Sequence, residues 1–504
     1  MNFLAFLISP NGLGLIATLL VSTWVARLIL KKYKPQAVLL LGGITLLTLV
    51  VLINWIWGLP TNLIGNPNLP PDHVFNRAKT LGNPFLDIFA GKGQIFSTRV
   101  AGLGLIIMSV MGFVKYMDAI GANKALVRVG VKPLQFIKSP YVVIVLAFLL
   151  GQTMKMAITS AAGLGVLLMA TMYPILLRLG VSRLTATAVI ATTGCIDLGP
   201  ATGTGVAVAE AAGILTSDGK ADMARFFFTY QLPLAIPVLA VVASLHFIVQ
   251  RWFDKKEGYK VQFSQTVENI DKEDNPAPSY YAIFPLIPLL LVFIFNEAVL
   301  IGINNGFAAM GLSIAIPPKT MGLVTAIFLS VFLVMTVEYI RSLDAKKVFD
   351  SIQTVFDGMG VAFATVVTLI VAGEVFATGL LSTGSVNTLL GFAGDGTGIV
   401  PISVFMQALI AVSSVLMGSG DAAIFSFMSV GTMVAEHFNV DSITVLMPMQ
   451  ISSSLARSFS PITAVVVAVS AIAGLNPVDV VKRTAIPMIG GLITLTIANI
   501  IIFL

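Results

Sequence analysis

The sequence contains little of what reactive chemistry needs: one cysteine, three histidines and few charged residues among 504 positions. A lone cysteine excludes an intrachain disulfide framework and any paired-thiol redox motif. Neither an H-E-x-x-H zinc motif nor a G-x-x-x-x-G-K-[ST] phosphate loop occurs, so a metalloprotease and a P-loop ATPase have no support. The net charge is +6, but the basic residues cluster beside apolar segments and form no groove-like run. No nucleic-acid partner is predicted.

Apolar residues make up 57% of the chain and charged residues only 11%, more apolar surface than a soluble protein of this size can bury. Six apolar stretches precede a polar linker and six follow it, and most have the roughly 20 residues that cross about 30 Å of hydrocarbon. We therefore predict an all-α polytopic protein with the lipid bilayer as a partner. The predicted stretches are 12–30, 36–57, 97–116, 141–178, 184–215, 228–250, 280–302, 318–339, 359–382, 400–436, 442–475 and 484–504.

Two of these stretches, 141–178 and 400–436, are too long for one membrane crossing and have middles rich in glycine and serine. Each predicts a re-entrant helical hairpin, which enters and leaves the membrane by the same face. Non-helical backbone at membrane depth is stable only where it lines a cavity enclosed by protein, because an unpaired peptide group in lipid is costly. We therefore expect both hairpin tips to face a hydrated site.

A proline-to-glycine segment occurs twice, at Pro200–Gly213 and Pro461–Gly474. In both copies Val-Ala-Val follows the proline at the same spacing and Ala-Gly ends the segment. Each copy lies in a long apolar stretch, 184–215 or 442–475, which we predict to be a broken transmembrane helix. Interrupted apolar segments at matching places in two halves are typical of secondary transporters, whose substrate site lies between the repeats.

Charge placement predicts opposite orientations for the two halves. Basic residues bracket the segment before the first hairpin, which assigns that side to the cytoplasm. No lysine or arginine occurs from Val348 to Ala456, so the second hairpin is assigned to the outside. We predict two inverted-topology repeats, 1–250 and 280–504, each with a hairpin and a broken helix, joined by a cytoplasmic linker at 251–279.

Several stretches make the sequence recognisable. They are GANKALVRVGVKPLQFIKSPY at 121–141, ITSAAGLGVLLMATMYPILLRLGVSR at 158–183, FDGMGVAFATVVTLIVAGEVFATGL at 356–380, VLMGSGDAAIFSF at 415–427 and LARSFSPITAVVVAVSAIAGLNPVDVVKRTAIP at 455–487. Over nearly its whole length the chain resembles the DcuC family of anaerobic C4-dicarboxylate carriers, in particular its DcuD-like branch.

The resemblance implies the architecture of the ion-transporter superfamily, with two inverted repeats, and a homodimer that moves its cargo by an elevator-like shift. It also implies that the protein is not an enzyme and lies in the bacterial cytoplasmic (inner) membrane. The implied cargo is succinate, fumarate or malate, moved by symport with H⁺ or Na⁺ or by antiport. No other cofactor is predicted.

A dicarboxylate needs hydrogen-bond donors at both ends, and half-helix N-termini supply backbone N–H groups with a partial positive charge. Hydroxyl groups add donors without a permanent charge that would trap the ligand. Serine, threonine and glycine can also simply allow membrane helices to pack closely. The predicted substrate-binding residues are Thr159, Ser160, Ala161, Thr202, Gly203, Thr204, Gly418, Ser419, Gly420, Arg457, Ser458, Ser460, Pro461 and Thr463.

Arg457 is the predicted charged ligand. A guanidinium in the membrane costs at least about 2.5–3.5 kcal/mol unless it is paired or hydrated, and its fork geometry suits a carboxylate. The alternative is that Arg457 braces the hairpin backbone or pairs with an acidic residue such as Glu374. Sequence alone leaves both roles open.

Other ionisable residues within the spans are candidates for a coupling-ion site or for charge pairs: Lys155, Asp197, Glu210, Glu374 and Asp421. A carboxylate at Asp421 would repel a dianion unless it is neutralised. We therefore state the hypothesis of an ion pair between Lys155 and Asp421. Backbone carbonyls at the hairpin tips could instead hold Na⁺, so sodium and proton coupling both stay open; no other metal site is predicted.

Three alternatives remain at this point. The string Gly418-Ser419-Gly420-Asp421 also matches the G-x-G-D pattern of intramembrane aspartyl proteases, with Asp197 as the second aspartate. A channel would be expected to show rings of repeated charge or a filter loop, whereas this chain offers two hairpins. Among carriers, the cargo could be another organic anion, such as citrate, or an acidic amino acid.

Overall fold

The computed structural model describes residues 8–31, 33–64, 66–68, 80–137, 139–216, 219–260, 277–312, 316–317, 320–386, 388 and 398–504. Over these residues the secondary structure is helical apart from one isolated bridge between Leu215 and Ala221. Nine helices in these ranges are long and apolar enough to cross a membrane, or ten if one bent pair is counted as a span. The predicted all-α membrane fold is confirmed.

The helices are numbered here in chain order. The first ten are α1 (Pro10–Leu30), α2 (Pro35–Ile56), α3 (Pro84–Arg99), α4 (Leu105–Ala119), α5 (Ala122–Val131), α6 (Pro140–Met154), α7 (Ala161–Arg178), α8 (Arg183–Thr192), α9 (Gly203–Ala211) and α10 (Leu232–Lys256). The next ten are α11 (Ile287–Ile294), α12 (Glu297–Ala309), α13 (Leu323–Ser342), α14 (Ala345–Ala362), α15 (Thr368–Ser382), α16 (Ile399–Met417), α17 (Gly420–His437), α18 (Ser442–Arg457), α19 (Ala464–Ala473) and α20 (Pro477–Ile502).

Shorter elements complete the described chain. Three π-helical segments, Val100–Gly104, Phe226–Gln231 and Phe363–Val367, interrupt or precede membrane helices, and a helical turn, Met223–Arg225, leads into the second of them. Two 3₁₀ segments, Lys132–Phe136 and Ser279–Leu286, follow α5 and precede α11.

Each stretch predicted to be a hairpin consists of two helices joined by a short turn. Helices α6 and α7 flank residues 155–160, and α16 and α17 are separated by Gly418 and Ser419 alone. Gly418 has a φ of +64°, and a Cβ atom there would lie 2.8 Å from the Ile462 side chain. Only glycine meets both conditions without strain.

Each stretch predicted to be a broken helix is broken. Residues 193–202 separate α8 from α9, and residues 458–463 separate α18 from α19. Proline in each break lacks the N–H that a continuous helix requires. Every residue of α18 from Ile443 to Arg457 is buried, so the helix that leads into the second break lies at the centre of the molecule.

The helices form two sets by their contacts. We call α6–α10 and α16–α20 the hairpin group, because the hairpins and broken helices pack mainly on one another and on α10 and α20. We call α1–α4 and α13–α15 the wall group, in which α2 packs on α15 and α4 on α14. The groups meet chiefly where α15 contacts α17 and where the π segment Val100–Gly104 contacts α9.

Two predicted spans differ from the structure. In place of one span at 280–302, the 3₁₀ segment and α11 are followed by a bend of 69° and then α12. The predicted span 359–382 is the second part of a longer helical segment, Ala345–Ser382, because α14 continues through a π segment into α15. Most of the predicted linker, residues 261–276, lies outside the described residues; the inverted orientation of the two halves stays a prediction.

Candidate functional site

Four helix N-termini meet at one cavity. The cavity has a volume of about 260 Å³ and lies where the two hairpin tips meet the two helix breaks. Helices α7, α9, α17 and α19 begin at its wall, with N-cap residues Ser160, Thr202, Ser419 and Thr463. The N–H groups of a helical first turn have no partner within the helix and carry a partial positive charge. Four such N-termini around one cavity suit an anion.

The hairpin tips are closed by serine caps. Ser160 Oγ accepts a hydrogen bond from the Gly163 N–H at 3.1 Å, and Ser419 Oγ accepts one from the Ala422 N–H at 3.2 Å. Each hydroxyl is held at its tip through its acceptor side. Its own hydrogen stays directed by the surroundings of the cavity rather than by the cap, so it can be donated to a ligand.

The N-caps of the helix breaks are different. Thr202 and Thr463 make no side-chain cap; Thr202 Oγ1 donates to the Gly199 carbonyl at 3.3 Å, and Thr463 Oγ1 donates to the Arg457 carbonyl at 2.7 Å. Helices α9 and α19 therefore present their first N–H groups without a side-chain cap. Within the described part of the chain, Thr159 Oγ1 is buried without a hydrogen-bond partner although it lines the cavity. A buried polar atom of this kind calls for a ligand or a water molecule.

Four ionisable side chains on the cavity wall form a continuous chain of ion pairs. Lys155 Nζ is 2.9 Å from Asp197 Oδ1, and Arg457 Nη2 is 2.6 Å from the same oxygen. Arg457 Nη1 is 3.3 Å from Asp421 Oδ1. Two positive and two negative formal charges cancel, so the helix N-termini, rather than a side-chain excess, make the cavity attractive to an anion.

The two aspartates are not equivalent. The Asp197 side chain is 7% exposed and also accepts a hydrogen bond from Ser454 Oγ, 3.0 Å from its Oδ2 atom. The Asp421 side chain is 39% exposed, and its contact with Arg457 is longer. Asp197 is thus the fixed anion of the site, and Asp421 is the one that can be displaced.

The cavity brings together most of the predicted site residues. Those that line it are Lys155, Thr159, Ser160, Ala161, Asp197, Thr202, Gly203, Thr204, Gly418, Ser419, Asp421, Arg457 and Thr463. Gly420, Ser458, Ser460, Pro461 and Glu374 are not among its lining residues.

Three of the residues outside the lining have packing contacts. A Cβ atom on Gly420 would lie 2.6 Å from the Ser453 carbonyl oxygen, so this glycine allows α17 to approach α18 closely. Ser458 Oγ donates to the Ser454 carbonyl at 3.0 Å. Ser460 Oγ donates to the Val415 carbonyl at 2.7 Å, which ties the second break to its neighbouring hairpin.

Two predicted charge pairs are wrong. Lys155 contacts Asp197 rather than Asp421, because the turn after α6 folds the Lys155 ammonium back to within 2.5 Å of the Thr159 carbonyl oxygen, beside the first helix break. Glu374 does not pair with Arg457: its carboxylate is 3.0 Å from Arg99 Nη2. Arg457 does pair with acidic residues, but these are the two aspartates of the site.

Glutamine and serine residues that support Asp197 were missed by the sequence interpretation. The Asp197 carbonyl oxygen accepts hydrogen bonds from Gln231 Nε2 at 2.9 Å and from Gln450 Nε2 at 3.4 Å. Gln450, Ser454 and Arg457 lie at positions i, i+4 and i+7 on one face of α18. This polar stripe in an otherwise apolar stretch was a signal that could have identified them.

The opposite side of the cavity is apolar. Ile107, Val110 and Met111 of α4 line it, as does Val366 of the π segment that follows α14. All four belong to the wall group or its π segment. No sequence pattern distinguished these residues from the many other apolar side chains of the spans.

A second buried ion cluster lies away from the cavity. Arg483 Nη1 is 2.7 Å from Asp254 Oδ1, each side chain is 2% exposed, and Arg483 Nη2 is 2.6 Å from Glu257 Oε2. Ser182 Oγ and Thr185 Oγ1 donate to the Asp254 carboxylate. The cluster joins α10 and α20 to the start of α8 and was not predicted.

No group of three or more histidine, cysteine, aspartate or glutamate side chains suited to a metal ion occurs among the residues that the structure describes. A sodium ion held by carbonyl oxygens at the hairpin tips stays a prediction.

Comparison with known proteins gives concordant relatives. Residues 13–504 match the DcuC family, described as C4-dicarboxylate anaerobic carrier. The chain is 33% identical over 494 residues to the probable anaerobic C4-dicarboxylate transporter DcuC of Vibrio cholerae serotype O1, with 97% of this chain and 98% of that protein covered. It is 32% identical over 476 residues to the anaerobic C4-dicarboxylate transporter DcuC of Escherichia coli K12, with 94% of each covered.

Among solved structures, the fold is similar to that of MtrF from Neisseria gonorrhoeae, which is described as illuminating a class of antimetabolite efflux pumps. The TM-score is 0.55 at 14% sequence identity, with 92% of this chain and 95% of that chain covered. At this identity the similarity shows a common fold alone.

Proposed function

This chain belongs to the DcuC family, and we propose that it carries C4-dicarboxylates such as succinate, fumarate and malate. It is a multi-pass transporter of the bacterial inner membrane and not an enzyme. The intramembrane-protease alternative is therefore wrong. Its two aspartates, Asp197 and Asp421, both contact Arg457, whereas a protease dyad would share a proton between them.

Arg457 at the meeting point of four helix N-termini is the observation that supports a dicarboxylate cargo. Its Nη2 atom is held by Asp197, while its Nη1 atom makes only a 3.3 Å contact with Asp421. A substrate carboxylate that takes the place of Asp421 would gain a charge-assisted hydrogen bond from a guanidinium already held in position. The second carboxylate would then accept hydrogen bonds at the opposite tip, where Thr159 Oγ1 is buried without a partner among the described residues.

The size of the cavity supports a small cargo. Clefts for drug-sized ligands have volumes of roughly 300–1,000 Å³, and this cavity has about 260 Å³. A four-carbon diacid suits a site of this size better than a peptide-like acid. An acidic amino acid of similar length is the closest competitor, and its ammonium group would meet helix N-termini that disfavour a cation.

Proton coupling through Asp421 follows from the charges of the site. The charged groups that face Asp421 are Arg457 of α18, Asp197 of the first break and Lys155 of the first tip. A dianion that displaces Asp421 from Arg457 leaves two negative species side by side. Protonation of Asp421 removes this repulsion, so binding of the dicarboxylate and of one proton would favour each other.

An elevator-like movement is consistent with how the lining residues divide. The polar residues of the cavity belong to the hairpin group, and the facing residues Ile107, Val110, Met111 and Val366 are apolar. The hairpin group can therefore carry the bound ligand past the wall group without breaking a hydrogen bond to it. We retain the homodimer in this proposal, because a second copy packed on the wall group would enlarge the static body.

A disulfide between the two groups tests this movement. Ser429 Oγ of α17 is 3.3 Å from Glu374 Oε2 of α15, so E374C/S429C in a C195A background places a cysteine on each side. Oxidation should abolish uptake and reduction should restore it. V415C/S460C joins two positions within the hairpin group and should leave uptake intact. Equal uptake by oxidised and reduced E374C/S429C, with the disulfide verified by mass spectrometry, would contradict the elevator proposal.

Uptake by proteoliposomes tests cargo and coupling together. The panel contains labelled succinate, fumarate and malate with citrate, aspartate and glutamate, each driven separately by a proton gradient and by a sodium gradient. We expect saturable uptake of the C4-dicarboxylates, driven by the proton gradient. Preference for citrate or an amino acid would refute the cargo. Stimulation by sodium alone, or uptake that needs only a dicarboxylate on the opposite side, would refute proton coupling and leave the cargo standing.

A further inference from the structure

A second polar cavity lies outside the candidate site. It has a volume of about 470 Å³ and lies between the end of α4, helix α5 and the turn that joins α13 to α14. Its basic lining residues are Lys124, Arg128, Arg341 and Lys347, and we call it the basic pocket. Lys124 and Arg128 are one helical turn apart on α5, whereas Arg341 and Lys347 stand on either side of the α13–α14 turn.

The basic pocket has an excess of positive charge. Two acidic residues, Asp118 and Glu338, also line it, against four basic ones. Both acids already accept hydrogen bonds: Asn123 Nδ2 donates to Asp118 at 2.6 Å, and the Tyr281 hydroxyl donates to Glu338. Their capacity to neutralise the opposite wall is therefore partly used, and the pocket is suited to an anion.

The basic pocket lies at the level of the membrane surface. Two membrane spans, Ile95–Ala119 and Leu323–Ser342, end at residues that line it. Helix α5 buries one face on the protein while Lys124 lies exposed on the other. A short amphipathic helix with basic residues on its polar face is typical of the boundary between headgroups and acyl chains.

Exposed apolar side chains adjoin the same pocket. Ile340 is 68% exposed and Leu343 is 78% exposed, on either side of Arg341 in the sequence. Leu343 has a φ of +51°, a left-handed conformation that ends α13 and turns the chain toward α14. A ligand that fits both features has an anionic group for the pocket and an apolar part for the surface beside it.

We propose that the basic pocket binds the phosphate headgroup of an anionic phospholipid. Basic pockets between membrane helices are known binding sites for such headgroups. Arginine forms bidentate hydrogen bonds with phosphate, and lysine adds a point charge. A soluble phosphate would use the same basic side chains but would gain nothing from Ile340 and Leu343. The lipid would fix the end of α13 against α5 without entering the transport cavity.

Thermal unfolding and native mass spectrometry of the purified full-length protein test the proposal. The probes are phosphatidylglycerol, phosphatidylcholine with the same acyl chains, and glycerol phosphate. K124Q/R341Q removes two charges from the pocket, and K255Q/K482Q removes two exposed charges at other helix ends. We expect phosphatidylglycerol to raise the midpoint of wild type and control, and its binding to K124Q/R341Q to be weaker by about fivefold for each charge removed.

Three outcomes would overturn the proposal. Equal phosphatidylglycerol binding by K124Q/R341Q and the control would exclude this pocket. An equal shift from phosphatidylcholine would indicate a site for acyl chains without charge recognition, and an equal shift from glycerol phosphate would indicate a site for a soluble anion. Should K124Q/R341Q fail to fold, the single variant K347Q, which changes an exposed side chain, provides the same comparison.

Discussion

Two buried clusters of arginine and aspartate lie within this membrane protein, and only one of them borders a cavity. Arg457 is 2.6 Å from Asp197, and Arg483 is 2.7 Å from Asp254. In each cluster the arginine also contacts a second, more exposed acidic residue, and in each its Nε atom is buried without a partner among the described residues. Paired charge in the membrane therefore does not identify a binding site.

The surroundings of the two clusters differ. Four helix N-termini meet beside Arg457, together with hydroxyl groups and a cavity of about 260 Å³. Arg483 lies against the Phe253 ring, and its acidic partner accepts hydrogen bonds from Ser182 and Thr185. The first cluster has room and donors for a ligand, whereas the second is filled by the protein itself. We therefore assign binding to Arg457 and a structural role to Arg483.

Substitution of Arg457 should have the largest effect on transport. R457Q removes the guanidinium that we assign to a substrate carboxylate, and truncation of one partner of a buried charge pair costs about 2–5 kcal/mol. Uptake of succinate should fall by about 1,000-fold, although Lys155 still pairs with Asp197 and helps the protein to fold. Rates per folded protein are measured in proteoliposomes, with R483Q as the matched variant. Equal rates for R457Q and wild type would reverse the assignment of the two clusters.

Substitution of Arg483 should act on stability instead. R483Q leaves Asp254 buried without its cation, which costs roughly 3–5 kcal/mol for a buried pair. Thermal unfolding in detergent should show a lower midpoint, while the Michaelis constant for succinate, determined at a temperature where the variant is folded, should stay at the wild-type value. A stable R483Q protein with an altered Michaelis constant would show that the second cluster also contributes to binding.

Substitution of Asp421 should change the pH dependence of uptake more than its maximum. Wild-type uptake should fall as the pH rises, because deprotonated Asp421 competes for Arg457 and repels the dianion. D421N keeps the size of the side chain without its charge, so its uptake should be retained and should vary less with pH. Uptake is measured across a pH series, and D254N serves as the control from the other cluster. Complete loss of uptake in D421N would instead favour a role as a coupling-ion ligand.

Substitution of Thr159 should have the smallest effect. T159V removes the hydroxyl group that we assign to the second carboxylate, and a single hydrogen bond contributes about 0.5–1.5 kcal/mol, or up to about 3 kcal/mol to a charged group. The Michaelis constant for succinate should rise by about tenfold. T153V changes a hydroxyl that donates to the Leu149 carbonyl, within α6 and outside the cavity, and should leave it unchanged. A similar change in both variants would indicate a general disturbance of the first hairpin.

The sequence predicted the parts of the fold that depend on local properties. Hydropathy and length identified the spans, and the glycines and prolines near Gly418, Pro200 and Pro461 identified the turns and breaks. These features act within one segment, because a proline removes its own N–H and a glycine permits its own backbone angles. The residues of the hairpin tips and breaks were for the same reason good candidates for the cavity.

Pairings between distant residues were not predictable in the same way. Arg457 and Asp197 belong to different halves of the chain, and Lys155 had several acidic residues within the spans to choose from. The sequence interpretation paired Lys155 with Asp421 from the expected arrangement of the tips, whereas the first break places Asp197 nearer. Gln231 and Gln450 were overlooked because their contacts are with a backbone carbonyl, which has no sequence signature of its own.

The sequence by itself determined that this chain is a helical membrane transporter with two hairpins and two broken helices, because burial in lipid imposes length, apolarity and internal hydrogen bonding on each segment separately. The tertiary structure decided which charges neutralise one another and which one faces the cavity. The physical reason is that a charge away from bulk water is stabilised chiefly by the partners nearest to it in space. That proximity arises from packing of the two halves, and it leaves Asp197 fixed and Asp421 displaceable.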